Sequence, residues 1–93
     1  MKKFTTSEIS NKLVSLTGWK FEDNFLIKTF GFKDFNEAFG FMGRVALIAE
    51  KISHHPNWSG VNNKVTIKLN THEVEGITDL DFSFAELVED FFS

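Results

Sequence analysis

The sequence predicts an α+β fold: a four-stranded antiparallel sheet with three helices on one face, in the order α-β-β-α-β-β-α. Two observations carry this prediction. Three stretches place apolar residues at helical spacing, each opened by a capping signature. Between them lie two pairs of short apolar runs, each pair joined by a turn of Asn or Asp residues, as in hairpins. Paired strands separated by single helices favour an antiparallel sheet with its helices gathered on one side. No repeat, linker or low-complexity stretch divides the 93 residues, so 1–93 reads as a single domain.

The first helix opens at Thr5-Thr6-Ser7-Glu8. There a hydroxyl can accept from the backbone three residues on while Glu8 reaches back. Ile9, Leu13 and Leu16 follow at helical spacing, and Gly18 supplies a stop. Trp19 and Phe21 then alternate with Lys20 and Glu22, the pattern of a half-buried strand. Asp23-Asn24 makes the turn, and Phe25, Ile27 and Phe30 continue as the apolar positions of an antiparallel partner.

Asp34-Phe35-Asn36-Glu37 caps the second helix. Phe35, Ala38, Phe39, Met42, Val45, Ala46, Ala49 and Ile52 form a stripe expected to face the sheet. Phe41, Leu47 and Ile48 lie off that stripe, with Gly40 and Gly43 beside them, and are expected to meet a partner. The helix must end before Pro56. Trp58 and Val61, the turn Asn62-Asn63, then Val65, Ile67 and Leu69 read as the second hairpin. Thr78-Asp79-Leu80-Asp81 caps a last helix carrying Leu80, Phe84, Leu87, Val88 and Phe91.

Composition narrows the function. Cysteine is absent, which removes disulfides and thiolate metal sites. The net charge is −3 with no basic stripe, so nucleic acid is a poor direct partner. No apolar run approaches the roughly 20 residues of a membrane span. Met1-Lys2-Lys3, followed by Phe4 and polar residues, lacks the apolar core of a secretory signal, so a cytoplasmic protein is expected. Twelve phenylalanines in so short a chain point to a core or a partner surface built from large rings.

The chemistry gathers at three histidines. His54-His55-Pro56 follows the second helix, and His72 follows the strand that ends at Leu69. Three histidines can serve zinc, but adjacent histidines usually point apart and no helical His-x-x-x-His supports a ligand set. A nucleophilic triad lacks a Ser or Cys elbow. General acid–base catalysis remains, for which imidazole titrates near neutral pH and both gives and takes a proton.

The run Ala49-Glu50-Lys51-Ile52-Ser53-His54-His55-Pro56-Asn57-Trp58, then Asn63-Lys64-Val65, Leu69, Thr71-His72-Glu73, Gly76, Thr78 and Asp81, resembles the pterin-4a-carbinolamine dehydratase family. The resemblance spans nearly the whole chain and implies the same α+β fold. It implies a small-molecule substrate, a reduced pterin hydroxylated at carbon 4a, and dehydration without metal or cofactor. His54 and His72 become the implied acid–base pair, with His55 binding and polarising the pterin. Glu50, one turn before His54, is placed to orient an imidazole. Trp58 can wall the pocket, Thr71 and Glu73 match the pterin-contacting segment, and Asp81 is either a helix cap or a site residue.

Ser53, Asn62 and Asn70 depart from the family pattern and bear on rate and substrate preference rather than reaction class. The resemblance also implies a homodimer or homotetramer assembled through helix 35–52. The alternative function is a protein-interaction module or transcriptional co-activator using that same surface.

Overall fold

A computed structural model describes residues 1–92. Its elements follow the predicted order: α1 (Thr6–Leu13), β1 (Lys20–Glu22), β2 (Phe25–Gly31), α2 (Phe35–Ile52), β3 (Asn57–Val61), β4 (Lys64–Leu69) and α3 (Asp79–Phe92). A single 3-10 turn, His72–Val74, precedes α3 and has no counterpart in the sequence reading. All strand pairs are antiparallel, in the spatial order β1-β2-β4-β3.

Both hairpins turn where the Asn and Asp residues stand. Asp23 and Asn24 have φ of 51° and 65°, and Asn62 has φ of 54°. Such left-handed backbone twists a two-residue turn in the same sense as its strands. The first helix carries the complete capping box at Thr5 and Glu8 but closes at Leu13. Leu16 and Gly18 therefore lie in the turn beyond it, where Leu16 is still buried.

Registers define the two faces of the sheet. Phe21 pairs with Leu26, Leu26 with Leu69, Phe30 with Val65, and Trp58 with Ile67. These side chains share the inner face: Leu26, Phe30, Val65, Ile67 and Leu69 join one buried cluster with Ala38, Phe41, Val45, Ala49, Phe82, Phe84, Ala85 and Val88, and the half-buried Phe21 and Trp58 pack against it. Of the apolar positions read for β2, Phe30 lies in the core, whereas Phe25 and Ile27 lie on the outer face and are half-buried. The run Phe25-Leu26-Ile27 is apolar on both faces, so its parity is set by the β4 register rather than by its own pattern. Lys28 consequently points inward, and its stem passes Phe30 so that Nζ reaches Glu89 at 2.7 Å and the Thr17 carbonyl at 3.0 Å.

The buried face of α2 is also rotated from the expected stripe. Ala38, Phe41, Val45 and Ala49 are buried, whereas Phe35 and Phe39 are exposed and stack on each other at 6.2 Å. Phe41, expected to face outward, packs against Phe30 and Phe32 at 4.9 Å in the aromatic core. Leu47 does face solvent, and Ile48 is half-buried. No helix among the described residues is long and apolar enough to cross a membrane.

Candidate active site

The chain reverses sharply after α2, and this reversal places His54. Ser53 adopts left-handed backbone, φ 52° and ψ 44°. The Ser53 N–H donates to the Glu50 carbonyl at 3.3 Å and the His54 N–H to the Ala49 carbonyl at 3.1 Å, a Schellman arrangement that closes the helix. The turn carries the His54 ring inward until the residue is 8% exposed, edge-on to Phe84.

Asp81, in the first turn of α3, meets it there. His54 Nε2 lies 2.6 Å from Asp81 Oδ1, and Asp81 is fully buried. The other carboxylate oxygen, Oδ2, accepts from the Thr71 hydroxyl at 2.8 Å and from the Thr78 N–H at 2.9 Å. Asp81 is therefore both the acidic partner of an N-terminal cap and the carboxylate behind an imidazole. An ionised carboxylate only accepts, so Nε2 carries the proton of the 2.6 Å contact. Nδ1 makes no hydrogen bond among the described residues. No buried side-chain nitrogen or oxygen there lacks a partner, so Nδ1 keeps contact with solvent.

The remaining candidates are grouped by chain connection rather than by direct contact. His55 is exposed, and its Nε2 lies 3.7 Å from Glu50 Oε1. Glu50 thus faces His55 and not His54: the reversal at Ser53 takes His54 off the helical face that a continued helix would have shared with Glu50. His72 and Glu73 are exposed on the 3-10 turn directly after Thr71. Trp58 is half-buried on the inner face of β3. Thr71 is buried, with its hydroxyl on Asp81 and Thr78 and its N–H donated to the Gly76 carbonyl at 2.7 Å.

Thr78 is the member of this network that sequence reasoning assigned only to a cap. The Thr-x-x-Asp spacing signalled the cap, but nothing in it signalled that the second carboxylate oxygen faces His54. A separate groove of about 430 Å³ lies at the opposite end of α2, lined by Phe32, Gly40, Phe41, Arg44, Phe91 and others. It contains none of the histidines. Among the described residues, no group of three or more His, Cys, Asp or Glu side chains is arranged to hold a metal ion.

On this α+β scaffold a buried carboxylate stands behind an imidazole whose second nitrogen has no protein partner among the described residues, an arrangement chemically able to take up and release a proton. A model of the family described as pterin 4 alpha carbinolamine dehydratase matches residues 2–91. A protein of Prochlorococcus marinus (strain MIT 9215), provisionally named pterin-4-alpha-carbinolamine dehydratase, is 47% identical over 85 residues, 91% of this chain and 88% of that protein. A similarly named protein of Rhizobium johnstonii (strain DSM 114642 / LMG 32736 / 3841) is 43% identical over 91 residues, 96% of this chain and 90% of its own length. The crystal structure of a transcriptional coactivator/pterin dehydratase from Brucella melitensis superposes with a TM-score of 0.91 at 41% identity, covering 96% of this chain and 97% of that one. A pterin dehydratase-like RuBisCO assembly factor of the alpha-carboxysome shares the fold at a TM-score of 0.63 and 22% identity, over 77% of this chain and 83% of that one. The chain belongs to the pterin 4 alpha carbinolamine dehydratase family, and its class of enzyme is a hydro-lyase.

Proposed function

We propose that the protein eliminates water from a 4a-hydroxytetrahydropterin, with His54 as one of its acid–base groups. The supporting observation is the 2.6 Å contact from the buried Asp81 to His54 Nε2, with Nδ1 left to solvent. In this reaction the lone pair of pterin nitrogen 5 expels the hydroxyl from carbon 4a. The departing oxygen takes a proton and leaves as water, and a ring N–H proton is lost to give the quinonoid dihydropterin. One acid and one base near neutral pH suffice, with no hydride or nucleophile.

His54 and His72 exchange these two protons from either side of the hydroxyl. The carboxylate at Nε2 holds the ring in place while Nδ1 takes and gives the proton. His55, with Glu50 beside it, binds and polarises the heterocycle, while Trp58 and Glu73 border it. The product feeds cofactor recycling for aromatic amino-acid hydroxylases in the cytoplasm. The active form is a homodimer or homotetramer assembled through α2.

Formation of quinonoid dihydropterin, followed with and without the protein, tests this reading. His54→Ala and His72→Ala should each lower turnover by roughly 10²–10⁴-fold, the range for a positioned acid or base. His55→Ala should raise KM at least as much as it lowers kcat. Three variants with near wild-type rates, or a wild type no faster than solution, would overturn it.

A further inference from the structure

The hydroxyls around Asp81 have only one consistent order of protons. The carboxylate can only accept. Thr71 Oγ1 therefore spends its single proton on Asp81 Oδ2, at 2.8 Å. The 2.7 Å contact between the two threonine hydroxyls must then run from Thr78 Oγ1 to Thr71 Oγ1. Thr78 Oγ1 in turn accepts the Leu80 N–H at 3.2 Å, while the Thr78 N–H donates to Oδ2 at 2.9 Å. Every link points one way, from the first turn of α3 to Oδ2. Thr71, Thr78 and Asp81 are all buried, so water does not compete for these groups.

We infer that Thr71 and Thr78 form a donor chain that pins the Asp81 carboxylate and thereby fixes which nitrogen of His54 meets the substrate. Both threonines are positioning residues. With Oδ2 held by two donors, only Oδ1 is presented to the imidazole, at 2.6 Å. A proton on Nδ1 instead would bring two acceptors face to face in a buried site, where an unmade hydrogen bond is costly. The neutral ring is thus held as the Nε2–H tautomer with the Nδ1 lone pair outward. Releasing Oδ2 lets the carboxylate turn about its own bond, which takes Oδ1 off the line of Nε2–H and weakens the bias against the other tautomer. The inference rests on the dehydratase reading for its kinetic consequence only. It also moves Thr71 from contacting the pterin to holding the group behind it.

Multiple-bond ¹⁵N–¹H NMR spectra of His54 in the full chain test the clamp without any substrate. The wild type should show the Nε2–H tautomer, Thr71→Val a mixture, Thr78→Val a smaller admixture, and Thr71→Ser the wild-type pattern again. In the dehydration assay Thr71→Val should lower kcat roughly tenfold, the loss of about one hydrogen bond, with KM little changed. An Nδ1–H tautomer in the wild type would overturn the inference. So would a folded Thr71→Val protein with the wild-type tautomer and kcat. If Thr71→Val does not fold, the wild-type tautomer and Thr78→Val decide the matter by the same criteria. A wild type without dehydratase activity overturns the reaction assignment instead, while the tautomer still judges the clamp.

Discussion

His54 differs from His55 and His72 in what stands behind it, and that difference is a matter of single atoms. Asp81→Asn keeps the shape of the side chain but replaces one acceptor by a donor. The amide oxygen is claimed by the Thr78 N–H and the Thr71 hydroxyl, which turns the NH₂ toward His54 Nε2. The ring must then accept at Nε2 and carry its proton on Nδ1, the wrong nitrogen for a base. Turnover should fall by about 10²-fold or more, as for loss of a positioned base, and kcat measured beside a thermal melt separates this from unfolding. A fall no larger than the loss of stability explains would refute it. The histidines and Asp81 were all legible in the sequence as residue types at given spacings. The partnerships were not. Glu50 stands one turn before His54 only in a continued helix, and the left-handed Ser53 ends that helix first. Nothing in a lone serine announces positive φ, and so the carboxylate behind His54 comes from a helix 27 residues further on.

At the scale of elements, capping chemistry was the most readable signal, because it is local. In α1 Glu8 Oε1 accepts the Thr5 N–H at 2.8 Å and Oε2 accepts from Lys2 Nζ at 2.7 Å. The Lys2 hydrogen bond first, then the Thr5 backbone, pulls the Glu8 carboxyl from the ordinary 4.5 down to about 2. A carboxyl lowered by folding adds stability above its unfolded value that is lost on acidification. The contribution of α1 should therefore be complete above about pH 4.5 and gone as pH falls through about 2. Melting temperatures across that window should fall more steeply for the wild type than for Glu8→Gln, and parallel curves would disprove it. Added salt should shrink the difference, since both partners are solvent-exposed. Element order and hairpin turns were legible for the same local reason. Strand parity in β2 and the rotation of α2 were not, because Phe25-Leu26-Ile27 and the Phe-rich start of α2 offer apolar side chains to two faces at once. Only pairing with β4 and packing against α3 choose between them.

The whole molecule is small for the apolar surface it displays. A chain of this size buries only about 60–65% of the surface its unfolded form exposes, which leaves an isolated monomer marginal. Cysteine is absent, so no disulfide makes up the difference. Yet α2 leaves Phe39 66% and Leu47 71% exposed, with Phe35 beside them and the open Gly43 one turn from each. In the proposed oligomer two such faces would pack about a two-fold axis, and paired helices from two dimers would make a four-helix bundle. The rotation of α2 decides which substitution tests this. Phe41 is 5% exposed and belongs to the monomer core, so Phe41→Asp should cost about 3–5 kcal/mol and unfold the chain rather than dissociate it. Phe39→Asp places its charge on the uncovered face. Each phenylalanine there gains roughly 1.5–3 kcal/mol on burial, repeated in every subunit. Light scattering at micromolar concentration should give a dimer or tetramer for the wild type. Phe39→Asp should show a smaller mass with the far-ultraviolet spectrum of a folded protein. A monomeric wild type, or a Phe39→Asp protein of unchanged mass, would remove α2 as the interface.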